Sequence, residues 1–159
     1  MVTTEGLEAR CLLATAAPAL GAIRWDAWFA GNPYQQNLAP AQYQYRLPFY
    51  STGYGTSNVS VVGDSQAVMD QEIAYAHSSG LSYWAFDWYY PTSFAGADNY
   101  NYGIRRYLAS AHKSDMNFCL LLQGQHLGPS SNWSATADTL VNMMKEPTYE
   151  KVLGNRPLV

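Results

Sequence analysis

Three times along this chain a short strand-like segment is followed by a long loop, then by a helix-like segment, then by a brief return to the next strand. That order is restrictive. Parallel neighbours in a sheet need a long crossover, and consecutive strand–helix units supply it with right-handed connections. The strands are predicted over residues 22–29, 82–89 and 117–123. Asp64 reads as the N-cap of a helix across "SQAVMDQEIAYAHSSG", in which Ala67, Val68, Ile73, Ala74 and Ala76 fall near helical spacing and Gly80 closes the end. A second helix covers "YGIRRYLASAHK", with Ile104, Tyr107, Leu108 and Ala111 on one face, and a third spans roughly 134–145. "NFCLLLQ" is a continuous apolar run of the kind found in parallel strands covered on both sides. "YEKVLGNRPLV" reads as a hairpin through Gly154-Asn155 into a fourth strand beginning at Leu158.

The loops after the strands are long and rich in aromatic and polar residues, whereas the links from helix back to strand are short. This asymmetry is that of a (β/α)8 barrel, whose ligand face is built from the loops after the strands. The expected fold class is therefore α/β: a partial (β/α)8 barrel with a parallel sheet, about three βα units and the start of a fourth strand. No GxGxxG follows the first strand, which argues against a dinucleotide site. A full barrel takes about 250 residues and this chain has 159. It is expected to be a piece of a longer barrel, with residues 1–20 a leader segment and 21–159 an N-terminal half. The segment 11–23 has the length of a signal-peptide core, but Glu5 and Glu8 stand where positive charge belongs, so the compartment stays open. A lone half-barrel leaves open parallel edges, through which self-association is expected.

Charged residues make up only 13% of the chain while aromatics make up 14%, including thirteen Tyr and five Trp. A net charge of −3 gives no electrostatic footprint for nucleic acid, and no run of 18 apolar residues signals a membrane span. His77, His112 and His126 are scattered and the two cysteines, Cys11 and Cys119, form no CxxC, so no metal site is expected. Few charges with many Tyr, Trp, Asn and Gln suit a neutral, polar, ring-shaped ligand. The loop over 30–63 is long for a compact domain, and its aromatics favour an ordered binding loop.

Two strands carry unusual residues for buried positions. In "RWDAW" (24–28) Arg24, Asp26 and Trp28 share one face, and in "YWAFDWYY" (83–90) Asp87 lies among aromatics. Asp26 and Asp87 are the acids at strand C-terminal ends and the candidate carboxylates. They read either as acids or bases in catalysis or as acceptors for ligand hydroxyls; Arg24–Asp26 also reads as an internal ion pair. Trp28, Trp88 and Tyr89 can offer flat apolar faces to a ring, while Trp84 and Phe86 suit the core. Gln123, Gln125 and His126 follow the third strand and suit hydrogen bonding to a neutral ligand.

The stretches "GAIRWDAWF", "QAVMDQEIAYAHSSGLSYWAFDWYY", "MNFCLLLQGQHLG" and "EPTYEKVLGNRPLV" resemble, in order and spacing, the N-terminal half of the glycoside hydrolase family 99-like barrels, the group around endo-alpha-mannosidase. The resemblance runs from Gly21 to Val159. It implies a barrel acting on glycosidic bonds of a glycan or polysaccharide with two carboxyl groups and without metal or cofactor. It also implies that this pair comes from strands beyond Val159, so no catalytic residue is carried over. Some relatives have an Asn-Glu-Asn pattern after the third strand, where this chain has "LLQGQHLG". The expected function is the N-terminal part of such a hydrolase, inactive in isolation. The alternatives are a non-catalytic carbohydrate-binding protein and a barrel fragment with no independent function.

Overall fold

The computed structural model describes residues 18–159. The leader reading of 1–20 lies outside the described residues except for its last three, as does Cys11. The elements run in order through β1 (Gly21–Arg24), β2 (Ser51–Thr52), β3 (Ser60–Val61), α1 (Gln66–Ser78), β4 (Tyr83–Trp88) and α2 (Tyr102–Ala109). They continue with β5 (Asn117–Leu122), α3 (Trp133–Met144), β6 (Lys151–Val152) and β7 (Arg156–Pro157). No helix among the described residues is long and apolar enough to cross a membrane.

The protein is a mixed α/β structure around a parallel three-stranded sheet in the order β1-β4-β5. Ile23 lies opposite Ala85 and Arg24 opposite Phe86, while Ala85 and Asp87 lie opposite Cys119 and Leu121. The first strand ends at Arg24 rather than near 29. Beyond it the backbone turns, with the Ala27 amide donating to the Trp25 carbonyl at 3.2 Å. The side chain of Asn32 closes the next turn onto the Phe29 carbonyl at 2.9 Å.

Alternation along β4 sorts the two sheet faces. Trp84, Phe86 and Trp88 are buried, while Tyr83, Ala85 and Asp87 are only partly covered. The helices pack on the tryptophan face: Met69, Ile73 and Ala76 of α1 recur at helical spacing, and Ile104 and Tyr107 of α2 and Leu140 of α3 join them around Phe118 and Leu120. Full burial of each large apolar side chain contributes about 1.5–3 kcal/mol. Tyr107 is fully buried yet satisfied, since its hydroxyl donates to the Met116 carbonyl at 2.5 Å.

Helix α1 is capped one residue later than expected. The Ser65 hydroxyl accepts from the Val68 amide at 3.2 Å, and Gly80, at φ 82, ends the helix in the left-handed region. Asp64 is engaged elsewhere: its carboxylate accepts from the Ala30 amide at 3.2 Å, tying the start of the long loop to its end.

The fourth parallel segment also differs from expectation. It crosses β5 at Tyr149, which bridges Phe118 in parallel. The Phe118 amide donates to the Thr148 carbonyl (2.9 Å) and the Glu150 amide to the Phe118 carbonyl (2.6 Å). The hairpin β6–β7 follows, turning through Leu153, Gly154 and Asn155, all at positive φ. Leu158 completes that hairpin, its amide donating to the Glu150 carbonyl at 3.0 Å, and does not start a strand.

The loop over 30–63 is ordered by side-chain amides and by the small antiparallel pair β2–β3. Gln44 is buried and donates to the carbonyls of Ala39 and Thr56, both at 2.7 Å. Its oxygen accepts from the Gly55 amide at 2.7 Å. Asn32 reaches the Val61 carbonyl at 3.0 Å.

Candidate functional site

The C-terminal ends of the parallel strands, on the face away from the helices, carry a concentrated cluster of aromatic and hydrogen-bonding groups. Its centre is Asp87. Strand alternation turns this side chain away from the helices, because Phe86 and Trp88 on either side of it are core. The Tyr89 hydroxyl donates to Asp87 Oδ2 at 2.6 Å. Gln123 Nε2 donates to both carboxylate oxygens, at 3.0 and 2.9 Å. Gln123 can do so because Leu121 pairs with Asp87 across the β4–β5 ladder, and two residues further along a strand the same face recurs.

Tyr89 lies past the end of β4 and is positioned by Asn101, which is 4% exposed. Asn101 Oδ1 accepts from the Tyr89 amide at 3.1 Å, and its Nδ2 donates to the Tyr89 carbonyl at 2.7 Å. The Tyr89 ring packs against Phe94, Tyr100 and His126 at centroid distances of 5.5, 5.6 and 5.2 Å. Tyr100 in turn stacks on Trp25 at 5.8 Å, and Tyr34 meets Trp25 edge-on at 5.3 Å. The hydroxyls of Tyr34 and Tyr100 are 3.2 Å apart. Trp25 remains 48% exposed, so the aromatic surface opens to solvent.

Burial, then the bond to Asp87 and its charge, hold the Tyr89 hydroxyl above the ordinary tyrosine range. Burial and the contact with Tyr34 push Tyr100 up to about 12. Both hydroxyls are therefore neutral donors at physiological pH. The Nδ1 atom of His126 is buried without a hydrogen-bond partner among the described residues, and its Nε2 lies 3.2 Å from the Gln125 amide.

Of the sequence candidates, Asp87, Tyr89, Gln123 and His126 come together here, with Gln125 at the exposed margin. Asp26, Trp28 and Trp88 do not. Trp88 is a core residue, 4% exposed on the helix side of β4. Arg24 and Asp26 do sit on one side of the β1 segment, but on the helix side, because Arg24 is in register with Phe86. The guanidinium lies over the Trp84 ring at 4.6 Å. It bonds Asp26 through Nε at 2.8 Å and Glu72 of α1 through Nη2 at 2.7 Å. Asp26 is 5% exposed and pressed against Gly103 of α2, where any Cβ would fall on its carboxylate. Burial raises the Asp26 carboxyl to about 6, outweighing the opposing pull of Arg24. The Arg24 charge is itself opposed by burial, but Asp26 and Glu72 together hold the guanidinium above its ordinary value.

The parity of β1 is thus opposite to that expected: Ile23 and Trp25, not Asp26 and Trp28, face the open side, and Ile23 is 74% exposed. Trp25, Tyr34, Phe94, Tyr100 and Asn101 were missed as site residues. The density of Tyr and Phe in the loops was the available signal, but no local pattern says which loop residues converge.

The arrangement can stack a ring and bond its substituents around one carboxylate. A second carboxylate is absent from this cluster among the described residues, since Asp26 lies across the sheet. No group of three or more His, Cys, Asp or Glu there could hold a metal. Burial, helped by Glu150, pushes the Cys119 thiol up to about 11, which disfavours its thiolate at neutral pH. Searches against family models, curated proteins and solved structures return no match for this chain.

Proposed function

We propose that this chain is the N-terminal part of a (β/α)8 barrel of glycoside hydrolase type, and that the Asp87 cluster binds a glycan or polysaccharide. The reading rests on one observation: a carboxylate held by Tyr89 and Gln123 sits within a wall of aromatic rings at the C-terminal ends of parallel strands. That is where barrels of this kind gather their ligands. Sugar rings present apolar CH faces that pack on Trp25 and Tyr100, and hydroxyls that donate to Asp87 or bond Gln123. The resemblance of "GLSYWAFDWYY" and its neighbours to the family 99-like barrels supports the same class. Asp87 acts here as a hydroxyl acceptor, and the acid/base pair of the reaction is supplied by residues outside this sequence.

A second reading, carbohydrate binding without cleavage, is favoured by the presence of a single carboxylate in the cluster. Both readings are tested on the full chain by calorimetric titration with a panel of mannose-, glucose- and galactose-based oligosaccharides, alongside a reducing-end release assay. The expected result is saturable binding by at least one glycan, tenfold or more weaker in Trp25→Ala and Asp87→Asn at unchanged melting temperature, with no turnover. Absence of binding across the panel overturns the glycan reading. Turnover that vanishes in Asp87→Asn overturns the acceptor role and makes Asp87 catalytic.

A further inference from the structure

The ion cluster at the end of β1 opens into a pocket that Asp87 does not line. It has a volume of about 240 Å3 and is lined by Arg24, Asp26, Glu72, Tyr50, Tyr102 and Trp28, with Ile23 and Trp25 at its margin, so that Trp25 is shared with the Asp87 cluster. Three features make it more than a structural ion pair. First, its charges do not balance: one guanidinium serves two carboxylates, leaving one net negative charge in a partly desolvated space. The Glu72 side chain is 19% exposed, and its Oε1 accepts no hydrogen bond among the described residues. Second, Tyr102 is 6% exposed and lines the pocket, yet its hydroxyl has no hydrogen-bond partner among the described residues; burial and the nearby Asp26 carboxylate keep it protonated. Third, aromatic side chains, Trp28 and Tyr50 among them, make up much of the remaining lining.

We propose that this pocket binds a small organic monocation, a primary alkylammonium, with the ammonium bonded to Glu72 and Tyr102 and the stem against Trp28 and Tyr50. A single positive charge neutralises the excess carboxylate, which is costly to leave unpaired away from water. An ammonium brings three donors and no acceptor, matching the free carboxylate oxygen and the tyrosine hydroxyl oxygens. Aromatic faces add attraction for an organic cation that they do not offer a neutral stem. A sugar hydroxyl satisfies the same acceptors but leaves the charge uncompensated.

The test is titration of the full chain with n-butylammonium, followed by tryptophan fluorescence and by NMR. n-Butanol and a neutral methyl glycoside serve as controls, and Nα-acetyl-lysine methylamide presents the same group on a peptide stem. The expected result is saturable binding of butylammonium and none of butanol. Glu72→Gln, which keeps an acceptor for Arg24 while removing the charge, weakens binding tenfold or more. Tyr102→Phe, which keeps the ring, weakens it several-fold, and Asp87→Asn leaves it unchanged. Stronger binding by the lysine derivative supports the same chemistry with a protein side chain as its source. No saturable binding of either amine overturns the proposal, as does equal affinity in Glu72→Gln. Binding of the glycoside and not the amine also overturns it and marks a polyol pocket. Because Asp87→Asn separates the two sites, failure here leaves the glycan reading standing.

Discussion

Replacing Arg24 by Met isolates the contribution of the guanidinium that pairs Asp26 and Glu72 in the β1 cluster. Arg24 is 13% exposed and its partner Asp26 is 5% exposed, so removing the guanidinium leaves the Asp26 carboxylate buried without a counter-charge. Breaking a buried pair from one side costs about 3–5 kcal/mol. Glu72, at 19% exposed, keeps part of its contact with water and adds less than Asp26. Met keeps an apolar stem of similar length but loses the guanidinium over Trp84, so the lost charge dominates. For a domain of this size about 1 kcal/mol shifts the midpoint by roughly 2–4 °C, so the variant melts about 6–20 °C lower at pH 7. Acidity supplies the internal control. The folded Asp26 carboxyl titrates at about 6, above an unfolded value of roughly 3.9. Its contribution to stability is therefore fully present below the unfolded value and is lost as pH rises through about 6. Without Arg24 the carboxyl rises further, so the penalty shrinks as pH falls from 7 to 5 and the buried group becomes neutral. Urea unfolding at several pH values measures both. A loss under about 1 kcal/mol, or one independent of pH, refutes the reasoning and makes the cluster a solvated surface group.

Two further outcomes follow from the same packing. Gly103→Ala in α2 gains about 1 kcal/mol of helix propensity, but its Cβ falls on the Asp26 carboxylate, and overpacking of about 1–3 kcal/mol makes the variant less stable in urea. Trp88→Ala, which empties a site that is 4% exposed in the core, costs about 3–5 kcal/mol in chemical denaturation and leaves glycan affinity of the folded fraction unchanged.

The parallel sheet and its three helices were legible in the sequence because both periodicities are written in apolar residues: "NFCLLL" as a covered strand, and Met69, Ile73 and Ala76 as one helix stripe. The faces were legible in part of β4, where Trp84 and Phe86 suit the core and Asp87 the open side, but Trp88, expected at the site, shares the buried face. They were not legible in β1. There the strand is four residues long, and its inward position is held by an arginine whose guanidinium lies over Trp84, so hydropathy pointed the wrong way. The site was half visible. Asp87 and Gln123 follow from strand ends, whereas Tyr34 and Tyr100 meet only because two distant loops fold over the sheet. The fourth parallel segment was misplaced because Tyr149 pairs at a single bridge, too short to leave an alternating pattern.

The side-chain amides that fasten the long loop have a kinetic consequence. Asn32 and Gln44 make the bonds that a regular ladder otherwise makes, and they do so before any ligand arrives. Ordering a free loop costs about 1–2 kcal/mol for each backbone residue fixed, and here that entropy is already spent in folding. Tyr34, carried on this loop, therefore waits in place beside Trp25. For the glycan proposed above, this predicts single-step association without a slow ordering of the loop, which stopped-flow tryptophan fluorescence measures.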